Sequence, residues 1–253
     1  MNSEADLFHY SDAFVRFLAS ALPKAELVTL EGPDDTRMHV AVCHDRRFGK
    51  VANSLPFFGS HGGPSPTAGA AGKRELLSKF SQWASDNNIA SATVIENPFD
   101  PFDEAMIAVS GLESVDDRIG QFTKLPASDS DDLDDALFSL FHTKTRNAVR
   151  KGQKLDLEIV NSVDQADWDW MQTIHAASIS SLGGVVKGQS IFAALRKSFG
   201  DDARLHVAFH KGRPIAGLLS IVYGNTIEYF TPVVDPEHRD SQALSAIIFE
   251  VMK

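Results

Sequence analysis

The 253-residue sequence has a single cysteine, Cys43, so no disulfide can form within the chain, and a reducing compartment, the cytoplasm, is the natural setting. It also lacks a long apolar run. The most apolar stretch, 215–223, is interrupted by Gly217 and Ser220, whereas a spanning helix needs roughly 20 apolar residues, so no transmembrane segment is expected. The first residues carry Glu4 and Asp6 where a secretory leader would be basic. Positive charge is in short supply: 24 Lys and Arg against 34 Asp and Glu leave a net charge of −10. That balance disfavours a protein that coats nucleic acid nonspecifically, while leaving room for a local basic groove.

Several chemical signatures are missing too. There is no H-E-x-x-H or C-x-x-C, and His206 and His210 would lie roughly 13 Å apart on a strand, too far to share zinc, so no metal site is expected. There is no G-x-S-x-G for a nucleophilic serine and no G-K-[ST] for a phosphate loop. Cys43 falls in a predicted strand, where an inert core thiol is expected.

The pattern that is present alternates helices and strands. Phe14, Leu18 and Leu22 predict a helix over 12–21, capped by Ser11 and stopped by Pro23. Strands are predicted at 26–30, 38–43 and 51–58, with Gly49 in the turn between the last two. A loop rich in glycine and proline follows, then an amphipathic helix over 73–88 with Leu76, Leu77, Phe80 and Trp83 on one stripe. A short strand at 90–95, a turn-rich segment at 96–106 and a closing strand at 119–125 complete the first half.

Residues 128–135 hold five aspartates and form the best linker candidate. Beyond them a single helix is predicted over 133–151, with acidic residues at its positive end and a basic second half stopped by Gly152. A strand at 155–160, helices starting from a Ser162/Gln165 capping box and over 189–198, then three strands at 204–209, 214–223 and 226–234 follow. Gly224-Asn225 forms the last hairpin turn, and a helix over 243–252 closes the sequence.

Arg146 and Arg150 are four apart and share one helix face, with Lys151 alongside. They suit the pyrophosphate of a nucleotide-sugar, a lipid-linked precursor or an RNA backbone. The plain alternative is a solvated helix end whose cations complement the macrodipole.

The order strand, helix, helix, three antiparallel strands, helix resembles the opening of the GNAT acyltransferase fold. Three segments resemble the FemAB-like peptidyltransferases, which carry two such units: SLPFFGSHGG at 54–63, HTKTRNAVRKGQKLDLEI at 142–159 and HKGRPIAGLLSIVYGNTIEYFTPVVDPEHR at 210–239. The resemblance implies an α/β (α+β) protein of two tandem GNAT-like units, 1–127 and 128–253, each a mixed, mostly antiparallel sheet flanked by helices. Measured against the family pattern, the second unit is C-terminally incomplete. The implied activity is acyl or aminoacyl transfer to an amine in cell-wall or surface-polymer synthesis, with aminoacyl-tRNA as co-substrate and a phosphate-bearing or lipid-linked precursor as partner. The alternatives are a coenzyme A-dependent N-acyltransferase and a catalytically inactive GNAT-like binding protein.

At the usual GNAT pyrophosphate loop this sequence reads Arg239-Asp240-Ser241-Gln242-Ala243-Leu244. Gln242 and Leu244 replace the glycine and the small residue there, which disfavours acetyl-CoA. Arg239 remains a substrate-binding candidate, as do His61, Gly62 and Gly63 in the first-unit loop, whose glycines are equally expected of a plain connector. Acyl transfer to an amine needs a proton acceptor, and the candidates are Glu228 and Tyr229 on the last strand and Glu237 or His238 just after it.

Overall fold

The computed structural model describes residues 7–54, 61–114, 116, 119–129 and 131–253. The chain divides into two compact units, Met1–Gln121 and Phe122–Lys253. Each contains its own four-stranded sheet.

In the first unit, α1 (Asp12–Ala21) starts where the sequence predicts. The Ser11 hydroxyl accepts the Phe14 N–H at 3.1 Å, which satisfies one of the helix's orphan donors. Strands β1 (Glu26–Glu31), β2 (Arg37–Asp45) and β3 (Gly49–Asn53) form an antiparallel meander. Gly49 takes φ +87° at its second turn, a conformation that favours glycine. The end of the predicted strand 51–58 lies outside the described residues, as do 55–60 of the SLPFFGSHGG segment. Helix α2 (Ala70–Asp86) then carries the chain back so that β4 (Ile89–Thr93) pairs parallel to β3. Leu76 and Phe80 of α2 are fully buried against Leu30, Met38, Val40, Val42 and Ala52, and Trp83 packs at the margin of that core.

Two expectations for this half need correction. The turn-rich stretch gives way to α3 (Glu104–Ser110), whose first turn is capped by Asp103 Oδ1 accepting the Met106 N–H at 2.7 Å. The closing strand at 119–125 does not form: no sheet edge takes it, and Ile119 is 93% exposed.

The second unit begins with α4 (Leu133–Leu140) and α5 (Thr143–Gln153), two helices where the sequence predicts one. Phe141 and His142 are extended between them. The break lets Phe138 and Phe141 both reach Phe249, with ring centroids 4.6 and 6.3 Å from it. Local helix propensity is outweighed by that distant apolar contact. Next come β5 (Leu157–Ser162), α6 (Gln165–Ser181), α7 (Gln189–Phe199), β6 (Ala203–His210), β7 (Arg213–Tyr223), β8 (Thr226–Val234), a 3-10 segment at Pro236–Ser241 and α8 (Ala243–Val251). The sheet runs β5-β6-β7-β8 with every pair antiparallel. Gly224 has φ +54° in the β7–β8 turn.

The expected capping box is also different in detail. Ser162 is the last residue of β5; it donates to Asp167 Oδ2 and accepts the Asp164 N–H, while Asp164 holds the N-cap position.

Helix α8 is buried on two sides. Ala243 and Ile247 pack on Ala208, Ala216 and Leu218 of the sheet, and Phe249 packs on Leu137 and Val149 of α4 and α5. On the other sheet face α6 lies over Gly217, where an added Cβ would meet the Trp170 ring at 3.3 Å. Gly152, read from sequence as a helix stop, sits inside α5. A Cβ there would lie 2.7 Å from the Gln242 carbonyl oxygen and 3.0 Å from the Ala246 Cβ, so glycine is required by the close approach of α5 to α8. Both units share one sequence of elements: β1–β2–β3–α2 in the first recurs as β6–β7–β8–α8 in the second.

Gly152→Val should therefore overpack the α5–α8 contact and destabilise the second unit by about 2–3 kcal/mol. Urea unfolding monitored by circular dichroism measures it. A loss smaller than about 0.5 kcal/mol would mean that the helices do not touch there.

Candidate functional site

The site of the second unit is built around an irregularity in β8. Leu219 of β7 faces Thr231 and Ser220 faces Tyr229, so Phe230 is the extra residue of a β-bulge. Bulges kink a strand and re-aim its side chains, and they recur beside active sites. Lys187, from the loop between α6 and α7, reaches this bulge. Its Nζ lies 3.3 Å from Thr231 Oγ1 and 4.7 Å from the Phe230 ring centroid. Thr231 is buried. Burial lowers the Lys187 pKa, because taking an ammonium out of water penalises its charge.

His175 of α6 is buried, edge-on to Phe192 of α7 with ring centroids 5.5 Å apart. Its Nε2 has no hydrogen-bond partner. Burial first, and the nearby Lys187 charge second, hold its pKa below the ordinary value. It is therefore a neutral imidazole at neutral pH.

The residues singled out from sequence flank this point. Glu228 and Tyr229 precede the bulge on β8. Glu228 is half-buried, and burial raises its carboxyl pKa; Tyr229 is more exposed, and burial raises its phenol as well. Glu237, His238 and Arg239 lie in the 3-10 segment after β8. His238 Nδ1 is 3.5 Å from Asp235 Oδ2, and among the described residues no hydrogen bond or ion pair joins it to Glu228 or Tyr229. Glu228 and Tyr229 thus precede on the strand the bulge that Lys187 reaches, and His238 stays in its own turn. Sequence reasoning missed Lys187, His175 and Thr231, since only the folded sheet brings a loop lysine onto a strand more than 40 residues away.

Gln242, where a glycine is usual in the GNAT loop, adopts φ +61°, ψ +24°. The backbone keeps the left-handed conformation that glycine takes most easily, and a glutamine adopts it. The first N–H groups of α8 are largely taken: Ala243 N donates to Ser241 Oγ at 3.2 Å, and Ser245 N to the Gln242 carbonyl at 3.0 Å. Few are left to cradle a pyrophosphate.

The basic face of α5 is exposed at Arg150 and Lys151, while Arg146 is half-buried and donates to Thr143 Oγ1 at 3.2 Å. Arg150 stacks over Phe138 with its guanidinium carbon 5.2 Å from the ring centroid. Among the described residues neither arginine nor Lys151 has a carboxylate partner.

In the first unit, Gly62 and Gly63 border a small cavity with His9, Tyr10, His39 and Ser54, and His61 packs edge-on to His9 with ring centroids 5.2 Å apart. It holds about 10 Å³, room for roughly one water. A Cβ on Gly62 would overlap the Ser54 carbonyl, and Gly63 has φ +83°, so both glycines answer to backbone packing. Tyr10 fixes the loop by donating to the Gly62 carbonyl at 2.6 Å. Cys43 is half-buried in β2 rather than in the core, with its thiol pKa raised by burial. Among the described residues no three His, Cys, Asp or Glu side chains converge on a possible metal position.

Residues 139–253 match the acetyltransferase (GNAT) domain family. Solved structures are similar over all or nearly all of the chain. A crystal structure of FemX is 12% identical, with a TM-score of 0.67, and the match covers 100% of this chain and 83% of that one. The C-terminal domain (DUF2156) of a putative lysylphosphatidylglycerol synthetase from Agrobacterium fabrum is 11% identical, with a TM-score of 0.53 over 96% of this chain and 74% of that one. No curated protein sequence matches the chain. At these identities the likeness establishes the fold: two GNAT-like units in tandem.

The first-unit histidines make a pH dependence. Burial first, and the neighbouring His61 second, depress the His9 pKa from 6.5 to about 3. His39 and His61 are lowered too, chiefly by burial. The unfolded chain then binds more protons than the folded one at pH below 6.5. Stability should fall by about 1.4 kcal/mol per pH unit for His9 alone as pH drops from 6.5 towards 3. Denaturant titrations of the wild type and of His9→Gln at pH 7 and pH 5 measure it: the variant should show the shallower dependence, and equal slopes would rule out a buried neutral His9.

Proposed function

We propose that the second unit transfers an acyl group to an amine, that the donor is an aminoacyl ester, aminoacyl-tRNA in the first instance, and that the acceptor is a phosphate-bearing or lipid-linked precursor. The observation that carries the reading is the half-buried Lys187 ammonium held on Thr231 at the β8 bulge, with Glu228 and Tyr229 just before the bulge on the same strand. The acetyltransferase domain match over residues 139–253 and the FemX-like fold support it. So does the name of the second structural neighbour, which refers to an aminoacylated phospholipid.

The chemistry divides among these groups. The acceptor amine attacks the ester carbonyl, a C–N bond forms, and the ester C–O bond breaks with release of the donor hydroxyl. Lys187 stabilises the negative charge that develops on the carbonyl oxygen, which a half-desolvated cation does more effectively than one in water. Glu228 takes the proton from the amine; its raised pKa makes it a stronger base than an exposed carboxylate. Tyr229 stays protonated and donates to the departing oxygen. Arg146, Arg150 and Lys151 hold the acceptor's phosphates on the exposed face of α5. The setting is cytoplasmic synthesis of a cell wall or surface polymer.

The scarcity of free N–H groups at α8 argues against coenzyme A as donor. Calorimetry with millimolar acetyl-CoA should show no saturable heat. A micromolar dissociation constant that disappears in Arg239→Ala would replace the aminoacyl donor with an acyl-CoA. The reading as a whole is tested by incubating the protein with radiolabelled aminoacyl-tRNA and a nucleotide-linked peptide precursor and following the label into an amide. Binding without any transfer would identify a catalytically inactive binding protein.

Where turnover is seen, its pH profile reports the groups at the bulge. Activity requires Glu228 deprotonated and Lys187 protonated. It should fall on the acid side at a pH above the ordinary glutamate range, and on the alkaline side below the ordinary lysine range. Lys187→Met should lower kcat about 100-fold or more, while Lys187→Arg should keep activity and push the alkaline limb upward. An unchanged profile in Lys187→Arg would remove Lys187 from the reaction.

A further inference from the structure

Helix α5 carries two rows of cations. Arg146 and Arg150, four residues apart, are held in place, one by Thr143 Oγ1 and the other over the Phe138 ring. Lys144, Asn147, Lys151 and Lys154 form the second row, where spacings of three, four and three residues keep them on one face. Lys154 belongs to it because the residue that follows the helix keeps right-handed helical dihedrals, φ −76° and ψ −15°. All four side chains are exposed. In a chain of net charge −10, none of these three lysines has a carboxylate partner among the described residues.

The stability of the helix accounts for part of this row and not for the rest. Lys151 and Lys154 stand at the C-terminal end, where cations complement the macrodipole. Lys144 is the second residue of the helix, at the positive end, where an acid is favoured. The first turn has no acid, and His142 supplies no side-chain cap. A cation there works against the helix. What Lys144 does is complete a row about 15 Å long, from the ~1.5 Å rise of each helical residue.

That length selects the ligand. The two phosphates of a nucleotide-sugar are joined through one oxygen and can meet only one end of such a row. A membrane surface asks for apolar side chains on the binding face. This row has none, and the apolar side of α5, at Val149, is packed on Phe249. A nucleic-acid strand presents phosphates in succession. Lysines, compact charges on flexible stems, follow it without reading its sequence.

We propose that this lysine row is a docking surface for the phosphate backbone of RNA, and that it grips the body of an aminoacyl-tRNA donor. The identity of the RNA rests on the donor assigned above; the surface itself does not.

The test uses the full chain and an unacylated, fluorescently labelled RNA stem-loop. In anisotropy titrations the logarithm of the affinity should fall linearly with the logarithm of the salt concentration. Lys144→Gln should flatten that slope by about 1 and Lys144→Gln/Lys154→Gln by about 2, with stems of unrelated sequence affected alike. At low salt the double variant should bind about tenfold more weakly or worse. Lys144→Gln should resist urea at least as well as the wild type, since it removes a cation from the positive end of α5. A loss of stability would show Lys144 serving the helix and overturn its assignment. The proposal is also overturned if the stem-loop does not bind, if the double variant keeps the wild-type affinity and slope, or if phosphatidylglycerol vesicles depend on the two lysines and RNA does not. None of these readouts needs acyl transfer. A protein that binds the stem-loop through these lysines but transfers no label keeps this surface and loses the transferase reading. Transfer from aminoacyl-tRNA at unchanged KM in the double variant does the reverse.

Discussion

The contact of α5 with α8 at Gly152 is the constraint on which the second unit depends. Hydrogen in place of a side chain lets the Gln242 carbonyl and Ala246 approach α5 to a distance no Cβ allows. Because α8 is clamped between that helix and the sheet, its N-terminus is held at one place, and with it the turn that leaves β8. The Asp235 N–H, which donates to the Ile215 carbonyl at 2.9 Å, ties the other end of that turn back to β7. The bulge, the 3-10 segment and the basic face of α5 are thereby fixed by one small residue in a helix of otherwise modest apolar content.

The two units solve the same connection in different ways. Between β3 and α2 the chain spends a long stretch with Gly62 and Gly63 pressed against Ser54 and Ile95. Between β8 and α8 it uses a short 3-10 segment and one left-handed glutamine. The first solution buries imidazoles that stay neutral; the second leaves an exposed turn with Arg239 and Asp240 on the surface. Equal topology therefore supplies unequal surroundings, and the lysine seated on a strand irregularity belongs to the second unit.

What was legible in the sequence follows the range of the forces involved. The Ser11 cap, the Gly49 and Gly224 turns and the Leu76–Phe80–Trp83 stripe are local, so a few neighbouring residues carry their whole signal. The order of elements was enough to suggest a tandem GNAT-like architecture. The break at Phe141 was not legible, because it is set by Phe249, more than 100 residues further along. Nor was the purpose of Gly152, since a glycine near the end of a predicted helix reads as a stop until the second helix is seen. At the site, Glu228 and Tyr229 could be picked out as ionisable residues on the last strand. The bulge depends on a register between two strands, and Lys187 on a loop folding over it; neither has a sequence period.

β8 is the outermost strand of its sheet among the described residues, and such a strand is a standing invitation to another chain. The bulge at Phe230 and the proline at 232, which has no N–H to offer, both interrupt its outer ladder. A continuous partner strand would lose its hydrogen-bond register within a few residues of Tyr229. The irregularity on which Lys187 rests thus also spoils the outer edge of β8 as a template, and straightening the strand for stability would remove the Lys187 perch and the protection together.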